Sequence, residues 1–392
     1  MERLAHAPHV VIVGGGGTGG ALAHDLALRG LRVTLVERGE ITSGTTGRHH
    51  GLLHSGARYA VKDRESAVEC IEENRILRTI APGSFELNDG LFVALTDEEA
   101  DYEKLFFESC EASQIPARRV GRTEALRLEP NLNPDLRCAV QVPDGTMDAM
   151  RLPLRFFATA RRNGADIRPF TEVVGMSMTT PKSVDGVQVV DRASGRRYDI
   201  GADLVVNAAG PWGEKIARMG GVDVPIQPSP GILVAVRGRF ANMVINRLHA
   251  SGDGDIVLPQ RELSVIGTSS WVTDDPDHLA VPSDHVEAMF REGSAMIPSL
   301  RGARIRASWS AARPLIGERG ASTGRELSRT FKCFDHEADD GVSGLVTIAG
   351  GKATTLRAMA ESTADMVCRK LGVDRQCATR ETELLPHTAY YA

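Results

Sequence analysis

From His9 to Val13 the chain is apolar without alternation, the pattern of a strand buried on both faces. The run halts at Gly14-Gly15-Gly16-Gly17-Thr18-Gly19-Gly20, and a helical pattern follows from Ala21 to Arg29, closed by Gly30. Leu31 to Glu37 alternates and is rich in branched residues, which predicts a second strand and completes a βαβ unit. Ile41 to Tyr59 has no period; it carries glycine, serine, threonine and three histidines, and a long loop inside a compact domain usually has a functional reason.

Beyond it the pattern predicts a helix over Glu65 to Ile80, a strand over Gly90 to Leu95, and helices over Asp97 to Ala112 and Arg122 to Glu129. Pro143-Asp144-Gly145-Thr146 signals a turn, with a helix following through Asn163. Strands near Asp166 to Met178, Val187 to Asp191 and Leu204 to Asn207 then suggest a return to the first sheet. Gly231 to Val236, Asp255 to Pro259 and Ser264 to Thr268 predict a mainly antiparallel sheet, before Gly344 to Ala349 and its helix rejoin the first domain. The expected division is a discontinuous first domain of residues 1–85, 146–215 and 335–385, a second of 86–145 and 216–334, and a tail of 386–392.

Two packed units also suit 392 residues, because single cores stop growing near this size. A formal charge of −5, with no basic run, argues against nucleic acid, so an anionic substrate must be caught by a few placed cations. Met1 to Val10 shows no export signal and no apolar run is long enough to span a bilayer; the expectation is a cytoplasmic protein that docks at most peripherally, at the inner face of the cell membrane. The six cysteines contain no C-x-x-C and the histidines no H-E-x-x-H, so no metal site is expected.

Gly14, Gly16 and Gly19 form G-x-G-x-x-G at a strand-to-helix junction, where bare backbone can approach a pyrophosphate on the helix N-terminus. Glu37 ends the second strand about twenty residues on, placed to accept hydrogen bonds from ribose hydroxyls and to repel a 2′-phosphate. NAD and FAD both fit this fingerprint. An ATP-binding loop does not fit at Gly350-Gly351-Lys352, since no glycine stands five positions before Gly351. The strand Leu204 to Asn207 ends in Ala208-Ala209-Gly210, small enough to pass close to a cofactor, and Gly350, Gly351, Lys352 and Thr354 again join strand to helix, a positive end suited to an anionic ring. Ser43, Thr45 and Thr46 offer donors for phosphate or ring contacts.

Thr42-Ser43-Gly44-Thr45-Thr46-Gly47-Arg48 and His50-Gly51-Leu52-Leu53-His54-Ser55-Gly56-Ala57-Arg58-Tyr59-Ala60 closely resemble FAD-dependent glycerol-3-phosphate dehydrogenases, especially the catalytic subunit of the anaerobic bacterial enzyme. The resemblance continues through Cys70 to Arg75, Asp89 to Phe92, Val142 to Thr146, Asn207 to Trp212, Arg313-Pro314-Leu315 and Gly350-Gly351-Lys352. It implies an α/β fold: an FAD-binding Rossmann-like domain of the D-amino-acid-oxidase-like (GR2) kind, and a mainly antiparallel-sheet substrate domain over the flavin. It also implies that Arg58, Tyr59, Arg313 and Lys352 face the substrate. Members typically carry a C-terminal cysteine-rich domain; no such cluster stands here, which leaves the electron acceptor, a quinone or a partner subunit, open.

Oxidising a secondary alcohol needs a hydride acceptor, a base and a fixed substrate. Arg58 and Arg313 suit a phosphate dianion, with Tyr59 adding a hydrogen bond. His54 is the candidate base, His49 or His50 the alternatives, and Lys352 is placed to stabilise a developing carbonyl oxygen or a reduced flavin. The favoured substrate is sn-glycerol 3-phosphate. Oxidation of 2-hydroxyglutarate or another polyol phosphate, or a flavin subunit without catalysis, are the alternatives.

Overall fold

The computed structural model describes residues 7–317 and 330–392. The reading of the N-terminus as free of an export signal falls largely on residues 1–6, outside the described residues. His9–Val13 is the centre of a six-stranded sheet ordered Phe331–Asp335, Leu345–Gly350, Leu204–Asn207, His9–Val13, Arg32–Val36 and Asp166–Arg168. All neighbours are parallel except the antiparallel edge strand Phe331–Asp335.

The uninterrupted apolar run of His9–Val13 follows from burial on both faces. Val10 and Ile12 pack with the helices Gly17–Leu28, Arg151–Arg162 and Leu356–Lys370. Val11 and Val13 pack on the other side, against Val173, Val187 and Val189 of a three-stranded antiparallel sheet, Thr171–Thr180, Ser183–Asp191 and Arg197–Gly201. That small sheet corrects the expectation of one strand from Asp166 to Met178 returning to the first sheet. Phe170 sits at φ 54, a left-handed conformation that breaks the run, so Asp166–Arg168 joins the parallel sheet and the rest leaves it.

An eight-stranded sheet runs Ile305–Ile316, Ile226–Arg237, Leu263–Gly267, Ile256–Gln260, Val244–Arg247, Gly90–Ala94, Cys138–Val142, Arg118–Gly121. Its one parallel pair, Val244–Arg247 with Gly90–Ala94, joins segments far apart in the chain. The turn signal at Pro143 to Thr146 resolves into a strand, Gly145–Met147, between Leu52–Leu53 and Phe85–Glu86. Leu52–Leu53 thereby anchors the aperiodic histidine loop to the body of the protein.

The first helix begins at Gly17, four residues earlier than its apolar pattern. Glycine disfavours helices, but here contact requires it: a Cβ on Gly20 would stand 2.9 Å from the Phe157 ring, and one on Gly19 would collide with the Gly14 carbonyl. Among the described residues no helix is long and apolar enough to cross a membrane.

Candidate active site

One cavity of about 440 Å³ runs from the glycine turn to the histidine loop, lined by residues of both large sheets. At its first end Gly14 has φ 115, and a Cβ there would lie 2.6 Å from the Ala208 carbonyl, so the two strand tips meet backbone to backbone. Asn207 fixes the second tip, donating to the Gly213 carbonyl at 2.7 Å and accepting from Ala209 N–H at 3.2 Å. Glu37 accepts from Gly15 N–H at 2.7 Å and from Gly39 N–H at 2.8 Å, one on each oxygen, which leaves each oxygen a second lone pair. The Thr46 hydroxyl accepts from Gly17 N–H at 2.9 Å, and the Thr45 hydroxyl donates to the Ala312 carbonyl at 2.5 Å.

Gly14, Gly16, Glu37, Ser43, Thr45, Thr46, Ala209, Gly210, Gly350 and Gly351 all line this cavity, as do His54, Tyr59, Arg313 and Lys352. Three residues singled out from the sequence stand behind the wall. Gly19 packs on Gly14, and Thr354 is fully buried, its hydroxyl accepting from His54 N–H at 3.1 Å. Arg58 turns to Asp255, to which Nη2 donates at 2.6 Å, and to the Gly252 carbonyl at 3.3 Å. Asp255 in turn accepts from Gly252 N–H at 2.7 Å, so the pair ties a loop of the eight-stranded sheet over the arginine.

Arg313 lies flat across Gly231, whose missing side chain makes room for the guanidinium. It donates to Thr268 Oγ1 at 2.5 Å and to the carbonyls of Ser229, Pro230 and Ser269 at 3.2–3.3 Å. Lys352 Nζ sits 3.3 Å from Glu69 Oε2, 3.2 Å from Ser66 Oγ and 5.3 Å from the centre of the Tyr59 ring. Burial works against its charge, yet Cys70, Tyr59 and Glu69 together raise its pKa above that of an ordinary lysine. For Glu69 the balance falls the other way: burial raises its pKa despite the lysine. The pair therefore keeps its cation more firmly than its anion. Burial pushes the neighbouring Cys70 thiol up to about 12, which makes it unreactive.

His49, His50 and His54 form a row, with ring centres 6.3 Å and 6.0 Å apart, and Tyr59 lies 5.3 Å beyond His54. Burial lowers the pKa of His49 to about 4. Burial, then the surrounding His54, His49, Arg313 and Arg58, hold that of His50 well below the ordinary value.

Sequence reasoning missed the clasp at the nucleotide end. Asp277, from a loop after the strand Leu263–Gly267, accepts from Arg38 at 2.7 Å and from Trp212 Nε1 at 2.9 Å, while Arg38 stacks 4.3 Å from the centre of the Trp212 ring. It also missed Glu69 and Asp255. Only Arg38 carried a signal, following Glu37 at the end of the second strand.

The site fits FAD. The glycine cradle and the positive end of the helix Gly17–Leu28 suit a pyrophosphate, Glu37 a ribose, and the cavity continues past Thr46 to Gly350, Gly351 and Lys352, where a ring would lie. Known proteins agree with this fit. Over 377 residues, 96% of this chain and 67% of the relative, the chain is 43% identical to a subunit of the anaerobic glycerol-3-phosphate dehydrogenase of Haemophilus influenzae. Its counterpart in Escherichia coli is 42% identical over 384 residues, 97% of this chain and 71% of the relative. A glycerol-3-phosphate dehydrogenase from Bacillus halodurans, solved with FAD, superposes with a TM-score of 0.74 at 25% identity, covering 97% of this chain and 68% of that one. Residues 9–366 match the family described as DAO, FAD dependent oxidoreductase, and the chain belongs to that family.

Proposed function

We propose that the protein oxidises sn-glycerol 3-phosphate to dihydroxyacetone phosphate. The observation that carries this reading is the single cavity joining the dinucleotide cradle to a wall of His54, Tyr59, Arg313 and Lys352. Its support is the family and the relatives of that activity. Bound here, FAD supplies the hydride acceptor.

Arg313 and Lys352 fix the anionic substrate, Arg313 through a guanidinium already oriented by three carbonyls and a hydroxyl. His54 takes the proton of the hydroxyl borne by the carbon that loses hydride. Lys352, charged and nearly sealed from water, stabilises negative charge that develops beside it. Arg58 reaches the phosphate only by exchanging Asp255 for it. Electrons leave to a partner subunit or a quinone. Such a partner would place the protein at the inner face of the cell membrane.

Anaerobic titration of the FAD-loaded protein with sn-glycerol 3-phosphate tests the reading. Loss of the oxidised flavin's visible absorption is expected with the wild type, and with Arg313→Ala only at far higher substrate. Bleaching by 2-hydroxyglutarate alone would replace the substrate, and bleaching by neither would leave a flavin subunit without this catalysis.

A further inference from the structure

The sequence points to His54 as the base with His49 or His50 as alternatives, and the backbone surroundings of the three separate their roles. Gly51, at φ 83, turns the chain back so that Leu52 N–H points at His50 Nδ1, 3.0 Å away. Gly51 N–H does the same for His49 Nδ1, at 2.9 Å. A backbone N–H can only donate, so Nδ1 of each ring is an acceptor and carries no proton. In the neutral imidazole the proton then resides on Nε2.

This assignment decides what His50 can do. A general base must turn a bare lone pair toward the proton it removes, and the only bare nitrogen of His50 is spent on Leu52. Protonating that nitrogen would set two N–H groups against each other in a buried place already crowded by Arg313, Arg58 and two other histidines. His50 Nε2 has no protein partner among the described residues and is not among the sealed polar atoms, while the residue lines the cavity. An N–H with no partner among the described residues, beside the reacting groups, is a donor in waiting.

We infer that His50 is a hydrogen-bond donor, presenting Nε2–H, to the same substrate oxygen that loses its proton to His54. An oxygen in hydrogen-bonding distance of one nitrogen on each ring lies roughly 4 Å from each ring centre. Ring centres 6.0 Å apart and inclined at 71° accommodate such an oxygen between them. His54 is held from behind: its N–H donates to Thr354 Oγ1 at 3.1 Å and its carbonyl accepts from Asn74 Nδ2 at 3.0 Å. The hydroxyl proton would pass to His54, and FAD, when bound, would accept the hydride with its electron pair. His50 keeps its own proton throughout. Its contribution is to the charge on oxygen between the two departures, the moment when a fixed donor counts most.

The inference rests on the proposed reaction for its substrate but not for its tautomer, and two measurements separate them. The first is nitrogen-15 NMR of histidine-labelled, FAD-loaded wild type, with the His50 signals assigned by their loss in His50→Asn. An Nε2–H tautomer that stays neutral from mildly acidic to mildly basic pH is expected; an Nδ1–H tautomer or an imidazolium overturns the inference. The second is stopped-flow flavin reduction by sn-glycerol 3-phosphate, with flavin content measured for each variant. His50→Phe is expected to slow reduction about a hundredfold at saturating substrate with little change in substrate affinity, and His50→Gln, whose amide places an N–H donor near the position of Nε2, to recover most of the loss. Reduction by His50→Phe at the wild-type rate overturns the inference. If sn-glycerol 3-phosphate fails to reduce the wild type, the proposed reaction falls, and the NMR result still decides the tautomer.

Discussion

The two ends of the cavity are built from different materials. At the nucleotide end, bare backbone does the shaping: Gly14 against Ala208, Gly19 against Gly14, and Glu37 fastened by two amides of the turns it serves. At the catalytic end the shaping is by charged side chains held in pairs, Lys352 with Glu69 and Arg58 with Asp255, and by imidazoles oriented by single N–H groups. A pyrophosphate site needs close approach, which any side chain would obstruct. A site for proton and hydride transfer needs groups whose charge and direction are set beforehand. One end should therefore fail through sterics, the other through electrostatics.

The sharpest break is Gly19→Ala. Its Cβ would collide with a backbone carbonyl that has no flexible end to move aside, so the turn must open. The expected outcome is complete loss of FAD from the purified protein, read as the absence of flavin absorption after gel filtration. Gly121→Ala, where a Cβ meets nothing within 4 Å, should keep its full flavin content. If Gly19→Ala retains FAD, the nucleotide end is not governed by close approach.

Lys352→Met should do the reverse. Flavin content stays at the wild-type level while the rate of reduction by substrate falls by about a hundredfold to a thousandfold, the range for removing one placed charge from a reacting centre. The variant also leaves Glu69 without its cation, so Lys352→Met/Glu69→Gln checks that the loss belongs to the lysine. Loss of FAD in both variants would mean that the lysine serves the cofactor end as well.

The same contrast explains what could be read in advance. Strand, glycine turn, helix and acidic strand end are contiguous, so the nucleotide end is legible from Val10 to Glu37 by period and spacing. Tyr59, Arg313 and Lys352 were reached through a motif resemblance, and all three line the cavity. What partners them was not legible. Arg58 meets Asp255 197 residues on, and Lys352 meets Glu69 across 283, with no local pattern to announce either. The start of the first helix was misplaced for a related reason: the pattern marks the apolar face, whereas the turn from Gly17 to Gly20 is already helical and carries glycine at 19 and 20 because neighbouring groups leave no room there for a side chain.

His24 tests whether the nucleotide end is indifferent to charge. It is fully buried on the first helix, 5.9 Å from Phe156, with neither ring nitrogen bonded, and burial lowers its pKa to about 4. An unfolded histidine titrates near 6.5. As pH falls from about 6.5 to 4 the unfolded chain binds a proton that the folded one refuses, so stability declines by up to about 3 kcal/mol over that window. Urea unfolding of the FAD-free protein should show this decline in the wild type and a shallower one in His24→Leu. An equally steep decline in the variant would transfer the effect to the catalytic-end histidines.

The smallest effect belongs to the exposed ion pair at the nucleotide end. Asp277 joins Arg38 and Trp212, but Arg38 and Asp277 are 35% and 40% exposed, so water and salt screen the ion pair and its worth is below about 1 kcal/mol. Asp277→Asn keeps an oxygen to accept from Trp212 Nε1 and loses only the attraction for Arg38. FAD release, followed by the rise in free-flavin fluorescence, should quicken by no more than about fivefold at low salt. The difference should vanish at high salt, because screening removes from the wild type what the mutation removes from the variant. A much larger acceleration that persists in salt would show the loop bearing Asp277 to hold the nucleotide by contact, and the division between a backbone-built end and a charge-built end would then fail at this loop.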